Sequence, residues 1–427
     1  MRKSKPTMGQ MLIEQLKSGD WLNAERVRIA GSFAFIAYIG LLVFVVFFPN
    51  GFKSANGQYL ILDFNSFWTA AKLALAGDSL TPYSGQPFLE LQKEWTGFQD
   101  TSFAFFYPPT WLVYVLPFGH FSQPIAYFLF NLIGFGLVIL FGRALFKSWK
   151  SAFILCAFPA AMNCMLHGQN GLLSAALLGG AMLCLQHRRF VLAGIFIGLL
   201  SYKPQLGLII PLALLFARHW HTFLSAAVTT IAIAVVSLLI FGLETWMAFF
   251  EQLPIASYVL RNGIVNWEKM VSVYAALRVL GLSDTWASAI QILVSLAIVL
   301  LLFQIWRPKP HHTQQSQAYT DKEMANRSAI LIAGGLVFTP FALAYDFMIL
   351  IVPIAYLVKS GVEEGFQPYE KTILAIIVLL SAITSRFALT TGIPIAPLLP
   401  LAIVGLGAYR HWTSSSHKTI DLPQETN

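Results

Sequence analysis

Residues 104–119 read AFFYPPTWLVYVLPFG, and the sidedness of the whole chain turns on them. The run is apolar enough for a membrane segment, but Pro108-Pro109 and Pro117 interrupt it. Proline removes a backbone donor and breaks a helix interior. Read as a crossing, the segment sends Arg143, Lys147 and Lys150 outside. Read as an interfacial or re-entrant helix, it keeps them inside. Lys and Arg gather on the cytoplasmic side of membrane proteins, so the second reading follows.

Composition sets the frame for that choice. Of 427 residues, 56% are hydrophobic and 11% charged, where a soluble domain averages about 25% charged. This excludes an ordinary soluble globe, a disordered chain and a disulfide scaffold. It points to an all-α, polytopic integral membrane protein. The three cysteines, Cys156, Cys164 and Cys184, all lie in apolar runs and form no metal motif.

A crossing needs about 20 apolar residues. The first candidate is 29–48, preceded by Arg2, Lys3, Lys5, Lys17, Arg26 and Arg28 and read as an uncleaved helix. The others are 124–142, 151–166, 171–186, 190–203, 204–217, 221–242, 287–306, 329–341, 342–358, 371–386 and 393–409. Together they predict about twelve helices. The pairs 190–217 and 329–358 are each split because they exceed one crossing, and Pro204 supplies a break in the first.

The layout is a cytosolic N-terminus (1–28), one transmembrane domain (29–409) and a cytosolic tail (410–427). External loops span 49–123 and 243–286, and a flexible cytosolic linker spans 307–327. Of the 28 Lys and Arg, 20 fall inside and eight outside, while the 20 acids divide evenly. The +8 balance is thus a topology signal, and nucleic acid drops out as a partner. No internal repeat is visible. The expected location is the inner (plasma) membrane, with both termini cytosolic.

Within the first loop, 60–76 reads LILDFNSFWTAAKLALA, with Phe64, Phe67, Trp68, Ala71 and Leu75 at helical spacing. This predicts an amphipathic helix on the outer membrane face. Asp63 stands at its start, where a carboxylate suits either an N-cap or a general base at the lipid–water boundary. Asp78 precedes Thr81-Pro82-Tyr83 and reads as a turn residue. Tyr107, before Pro108-Pro109, suits an interfacial aromatic belt.

Four further stretches put polar groups at outer helix ends. His167-Gly168-Gln169-Asn170-Gly171 is a turn by composition, yet it concentrates donors suited to phosphate oxygens. Lys203, in Ser201-Tyr202-Lys203-Pro204, lies between apolar runs. There a charge costs about 2.5 kcal/mol or more unless it is paired or reaches water. Asp346, in Phe341-Ala342-Leu343-Ala344-Tyr345-Asp346, is the only acid within an assigned span. It pairs with Lys203 or Arg386, or it contacts a substrate hydroxyl. Arg386 is either an interfacial anchor or a phosphate clamp.

The order of an early Asp (DFNSFWTAAKLALAGDSLTPY), a YPP segment, HGQNG and AGIFIGLLSYKPQLGLIIPLALL resembles the GT-C superfamily of lipid-phospho-sugar glycosyltransferases. It is most similar to glycosyltransferase family 87, which includes polyprenyl-phosphomannose-dependent mannosyltransferases. The resemblance covers about residues 30–220, with FALAYDF the best-placed piece beyond. It implies a GT-C architecture in which the YPP segment is a juxtamembrane helix. It implies Asp63 as catalytic base, Lys203 as the lysine at an external helix end, and Gln169 and Asn170 as an external GQxN-like turn. Many GT-C members pair two acids in the first loop. Here Phe64 follows Asp63, so no metal or other cofactor is expected.

The resulting expectation is an inverting glycosyltransferase at the outer face. It moves a hexose, mannose being the family's best-known case, from a polyprenyl-phosphate sugar to a lipid or cell-envelope glycan. Lys203, His167, Gln169, Asn170 and Arg386 would bind the donor phosphate. Trp68, Tyr107, Tyr345 and Asp346 would line the cavity beside membrane lipid. The competing readings are a secondary transporter or flippase, and a glycan ligase or polymerase. Repeated halves would favour the first; several arginines in one large external loop would favour the second.

Overall fold

The two prolines at 108 and 109 start a helix and keep it short. Pro109–Val115 runs for seven residues and passes into a 3-10 turn, Leu116–His120. Seven residues rise roughly 10 Å, a third of the ~30 Å hydrocarbon core. Pro109–His120 is not among the helices long and apolar enough to cross. The next helix, Gln123–Phe146, is long enough to do so at 24 residues. These positions come from a computed structural model, which describes residues 7–48, 63–96, 103–308 and 319–416. Lys53, His311, His312 and His417 lie outside the described residues.

The described residues are helical with no strand; one isolated antiparallel bridge joins Met270 and Leu343. Five helices are long and apolar enough to cross a membrane: Ala24–Phe47, Gln123–Phe146, Trp220–Arg261, Asp284–Trp306 and Ala344–Glu364. Two bent pairs raise the number to seven. Trp149–Leu155 meets Pro159–His167 at 60°, and Glu370–Leu380 meets Thr384–Thr391 at 73°. The expected count of about twelve is not reached by this measure. Gly171–Gln186 has only 16 residues, and Phe190–Tyr202 and Pro204–Phe216 are shorter apolar helices. Apolar sequence also continues through bends that the backbone makes, as at Cys156–Phe158.

Those short helices nonetheless alternate in direction. Ser225 Oγ donates to the Val191 carbonyl at 2.8 Å, and a Cβ on Gly194 or Gly198 would strike Thr222 or Thr229 at 2.5 Å. Phe190–Gly198 and the first half of Trp220–Arg261 thus lie side by side and parallel. Pro204–Phe216 between them must return. Lys203 sits at the tip of that hairpin. A second hairpin runs out along Asp321–Phe338 and back along Ala344–Glu364, closed at its open end by Lys359 Nζ to Asp321 Oδ2 at 2.7 Å.

Several elements depart from the pattern reading. The first-loop helix occurs as Phe64–Leu75, but nine of its 12 residues are buried. It is wedged beneath Pro109–Val115 and Leu116–His120 and does not lie free on lipid. A Cβ at Gly119 would stand 2.9 Å from the Ala71 carbonyl carbon, so glycine permits this approach. The second loop is also largely helical. Trp220–Arg261 kinks at Gly242 (φ 81°, ψ 167°) and continues to Arg261. The Phe241 carbonyl freed at the kink accepts from Thr245 Oγ1 (2.7 Å) and Ser79 Oγ (3.2 Å). The expected linker is helical from Asp321, where Thr320 and Glu323 form a capping box. The final helix is Leu398–Ser416, and its Arg410 is buried rather than part of a solvated tail.

Charge is partitioned between the two ends. Arg410 holds Glu370 in a bidentate pair at 2.6 and 2.7 Å and donates to Ser360 Oγ at 2.7 Å. Each of the eight ion pairs of described residues joins two groups assigned to the same side from sequence.

The parallel packing of Phe190–Gly198 requires a bare Cα at Gly194, whose Cβ would also meet the Ala226 nitrogen at 2.8 Å. Gly194→Ala is expected to destabilise by about 1–3 kcal/mol through overpacking against backbone. Thermal unfolding in detergent checks this, and an unchanged midpoint would refute the close approach.

Candidate active site

Asp63 occupies the N-cap position of Phe64–Leu75, yet its side chain makes no capping bond. Its Oδ2 instead accepts from Gln169 Nε2 at 2.7 Å. His167 Nδ1 lies 3.7 Å from the same oxygen. The capping explanation for Asp63 therefore fails, because the carboxylate is turned toward the HGQNG turn.

That turn is held against the helix by two glycines. Gly168 adopts φ +64°, and a Cβ there would lie 2.4 Å from Phe64 Cβ. A Cβ at Gly171 would lie 2.9 Å from the Tyr345 carbonyl oxygen. The first glycine brings the turn onto Asp63, and the second brings it onto the segment carrying Asp346. Neither constraint is visible in a motif read as a polar turn. The only sequence signal is that glycines bracket Gln169-Asn170.

Gln169 is buried, and both ends of its amide are committed. Its Oε1 accepts from the Tyr107 hydroxyl at 3.1 Å while its Nε2 donates to Asp63. Burial, and then the charge on Asp346, raise the Tyr107 pKa well above the usual tyrosine value. A carboxylate only accepts, which fixes the Gln169 amide with its NH2 toward Asp63 and its oxygen toward the Tyr107 hydroxyl. Tyr107 is itself packed on Phe67 and Trp111, with ring centroids 5.2 and 5.5 Å away. The YPP segment thereby sets the position of the Asp63 carboxylate through Gln169.

Asn170 is fully buried, and neither amide atom has a hydrogen-bond partner. It lies close to the Tyr107 hydroxyl without hydrogen-bond geometry. A buried amide left open in this way costs about 1–3 kcal/mol unless something else pairs it. The His167 Nδ1 atom is likewise without a hydrogen bond.

Lys203 and Asp346 form the second cluster. Lys203 Nζ donates to Asp346 Oδ1, with the two side chains only 1% and 5% exposed. Asp346 Oδ2 accepts from the Leu343 nitrogen at 3.1 Å, and the ammonium lies 5.3 Å from the Tyr345 ring centroid. Of the sequence alternatives for Asp346, pairing with Lys203 is the one realised. Lys203 is consequently neutralised and shut from solvent, whereas Asp63 is 15% and His167 35% exposed. Tyr107 and Tyr345 lie between the clusters, and Tyr107 senses both Asp346 and Asp63.

Two expected site residues lie apart. Trp68 is buried, with its indole donating to the Phe121 carbonyl at 3.0 Å and Lys72 Nζ 4.8 Å from its ring centroid. Arg386 is exposed on Thr384–Thr391, which packs on Trp267–Lys269. It has no ion pair among the described residues. Asp78 accepts from the Thr81 nitrogen (3.0 Å) and hydroxyl (2.6 Å), as a turn residue does.

The arrangement is an accessible carboxylate held by an oriented amide, beside an imidazole and an open buried amide. The model of glycosyltransferase family 87 matches residues 105–321. The chain belongs to glycosyltransferase family 87. It is therefore a membrane glycosyltransferase, and the transporter and flippase readings fall away. The matched region contains Tyr107, His167, Gln169, Asn170 and Lys203, while Asp63, Asp346 and Arg386 lie outside it. No curated protein and no solved structure matches this member of family 87 significantly.

Breaking the Lys203–Asp346 pair from one side strands a buried charge. Lys203→Met and Asp346→Asn are each expected to cost about 3–5 kcal/mol, and the double variant much less than their sum. Unfolding of the purified variants measures this. Additive losses would mean the two charges are not coupled.

Proposed function

We propose that this protein transfers one sugar from a polyprenyl-phosphate donor to a hydroxyl of a lipid or cell-envelope glycan, at the outer face of the plasma membrane. Family 87 membership supports the reaction class. The observation that carries the site is the uncapped Asp63 carboxylate, bonded to Gln169 at 2.7 Å on a side chain 15% exposed. Asp63 accepts the proton of the acceptor hydroxyl. The hydroxyl oxygen attacks the anomeric carbon from the face opposite the phosphate. A new glycosidic C–O bond forms as the carbon–phosphate oxygen bond breaks. Polyprenyl phosphate leaves with the bonding pair, and the configuration inverts.

The leaving phosphate gains charge, and groups that strengthen their hold on it lower the barrier. In this reading His167, whose side chain is partly exposed beside Asp63, takes that role, with the buried Asn170 behind it. Lys203 acts at one remove, since Asp346 holds it, and the pair shapes the wall between Tyr107 and Tyr345. Arg386 serves as an interfacial anchor in this reading. No metal is invoked, because Phe64 stands where a second first-loop acid would be needed. Mannose is the first donor to test.

Asp63→Asn is expected to lower kcat by about 10²–10⁴-fold with expression and donor retention intact. Radiolabelled polyprenyl-phosphate mannose, compared with other sugars on the same carrier, is the assay. Near wild-type turnover would remove Asp63 as base. Gln169→Leu leaves the carboxylate but frees its orientation. It is expected to lower kcat up to about 100-fold with donor KM little changed. A change confined to KM would make Gln169 a binding residue instead.

A further inference from the structure

At the end of the helix Gly171–Gln186 opposite to Asp63 lies a lateral cavity of about 440 Å³, which the transfer reaction does not use. Leu137, Leu140 and Phe141 form one wall, and Leu177 and Phe196 the other. Two adjacent glycines make room for the rings. A Cβ at Gly179 would meet the Phe141 ring at 2.6 Å, and one at Gly180 would meet Phe196 at 3.2 Å. The cavity floor is therefore one helix face, Ala176, Gly180, Leu183 and Cys184, with an aromatic ring at each side.

Its mouth is basic. His187 and Arg189 line it, and Arg188 is their neighbour in sequence. No acidic side chain lines the cavity. Arg189 is exposed and has no ion pair among the described residues. His187 Nδ1 is engaged with the Leu183 carbonyl at 2.8 Å, which leaves Nε2 for a ligand.

From Ala176 to His187 the lined part of the helix rises roughly 17 Å. That is about half of the ~30 Å hydrocarbon core, the depth of one leaflet. We infer that this groove binds one anionic glycerophospholipid of the leaflet opposite to the active site, with an acyl chain against Phe141 and Phe196 and the headgroup phosphate at Arg189 and His187. Charge complementarity selects the headgroup, and the one-leaflet depth selects an acyl chain over a long polyprenyl tail. The site is independent of the transfer reaction and stands whether or not Asp63 is the base.

Native mass spectrometry of the full chain, purified in mild detergent and mixed with equimolar phosphatidylglycerol and phosphatidylcholine, tests it. Wild type is expected to retain one phosphatidylglycerol in preference. Arg189→Gln is expected to weaken that retention about fivefold, the worth of one basic group near lipid phosphate. Ala144→Phe, at an exposed position on the cavity lining, is expected to reduce occupancy by either lipid without loss of fold. Equal retention of both lipids by wild type, or unchanged retention in both variants, overturns the assignment. So does displacement of phosphatidylglycerol from wild type by equimolar polyprenyl phosphate.

Discussion

A lysine and an aspartate, 143 residues apart and both buried at an apolar helix end, tie together the two parts of this molecule that build the site. Either charge alone would be expensive in that setting, because one backbone N–H and one aromatic ring replace only part of its hydration. Together they hold the hairpin tip at Lys203 against the turn that opens Ala344–Glu364. The Gly171 approach to the Tyr345 carbonyl uses the same turn from the other side. The HGQNG turn therefore has a fixed wall behind it, and Asp63 has a fixed partner in front.

That arrangement divides labour between two carboxylates with opposite surroundings. Asp346 is enclosed and neutralised, and it organises structure. Asp63 is partly open, bonded to one amide and near one imidazole, and it keeps acceptor capacity free. The difference arises from backbone geometry. Asp63 begins a helix that is clamped by aromatic residues of the YPP segment, so its side chain is delivered to the turn and not to the helix end. Tyr107 links the two because its hydroxyl donates to Gln169 while its ring packs on Phe67 and Trp111.

The far end of the molecule is organised by the same physics with different members. Asp321 gathers Lys359 and Gln186, and Tyr356 completes the group by donating to Gln186 at 3.1 Å. Glu370 and Arg410 do likewise one hairpin away. The short helix Gly171–Gln186 spans between the Asp63 end and the Asp321 end. The lateral groove runs along its second half to the Asp321 end, where paired glycines let aromatic rings reach the backbone.

Composition and the proline pattern determined the membrane class and the shortness of the helix at Pro109, since both depend on the energetics of local segments. Asp63, Gln169, Tyr107 and Lys203 were singled out for the same reason: polar groups set in apolar sequence need a purpose. Helix number was not legible, because apolar runs continue through backbone breaks such as Cys156–Phe158 and Ser381–Ile383. The buried state of Phe64–Leu75 was not legible either, because its helical spacing is the same on lipid or under protein. Only the tertiary structure decided that Asp63 caps nothing, that Lys203 is spent on Asp346, and that Trp68 and Arg386 stand apart. Those outcomes depend on which distant segments approach within bonding distance, and approach is set by glycine clearances and paired charges that no single segment contains.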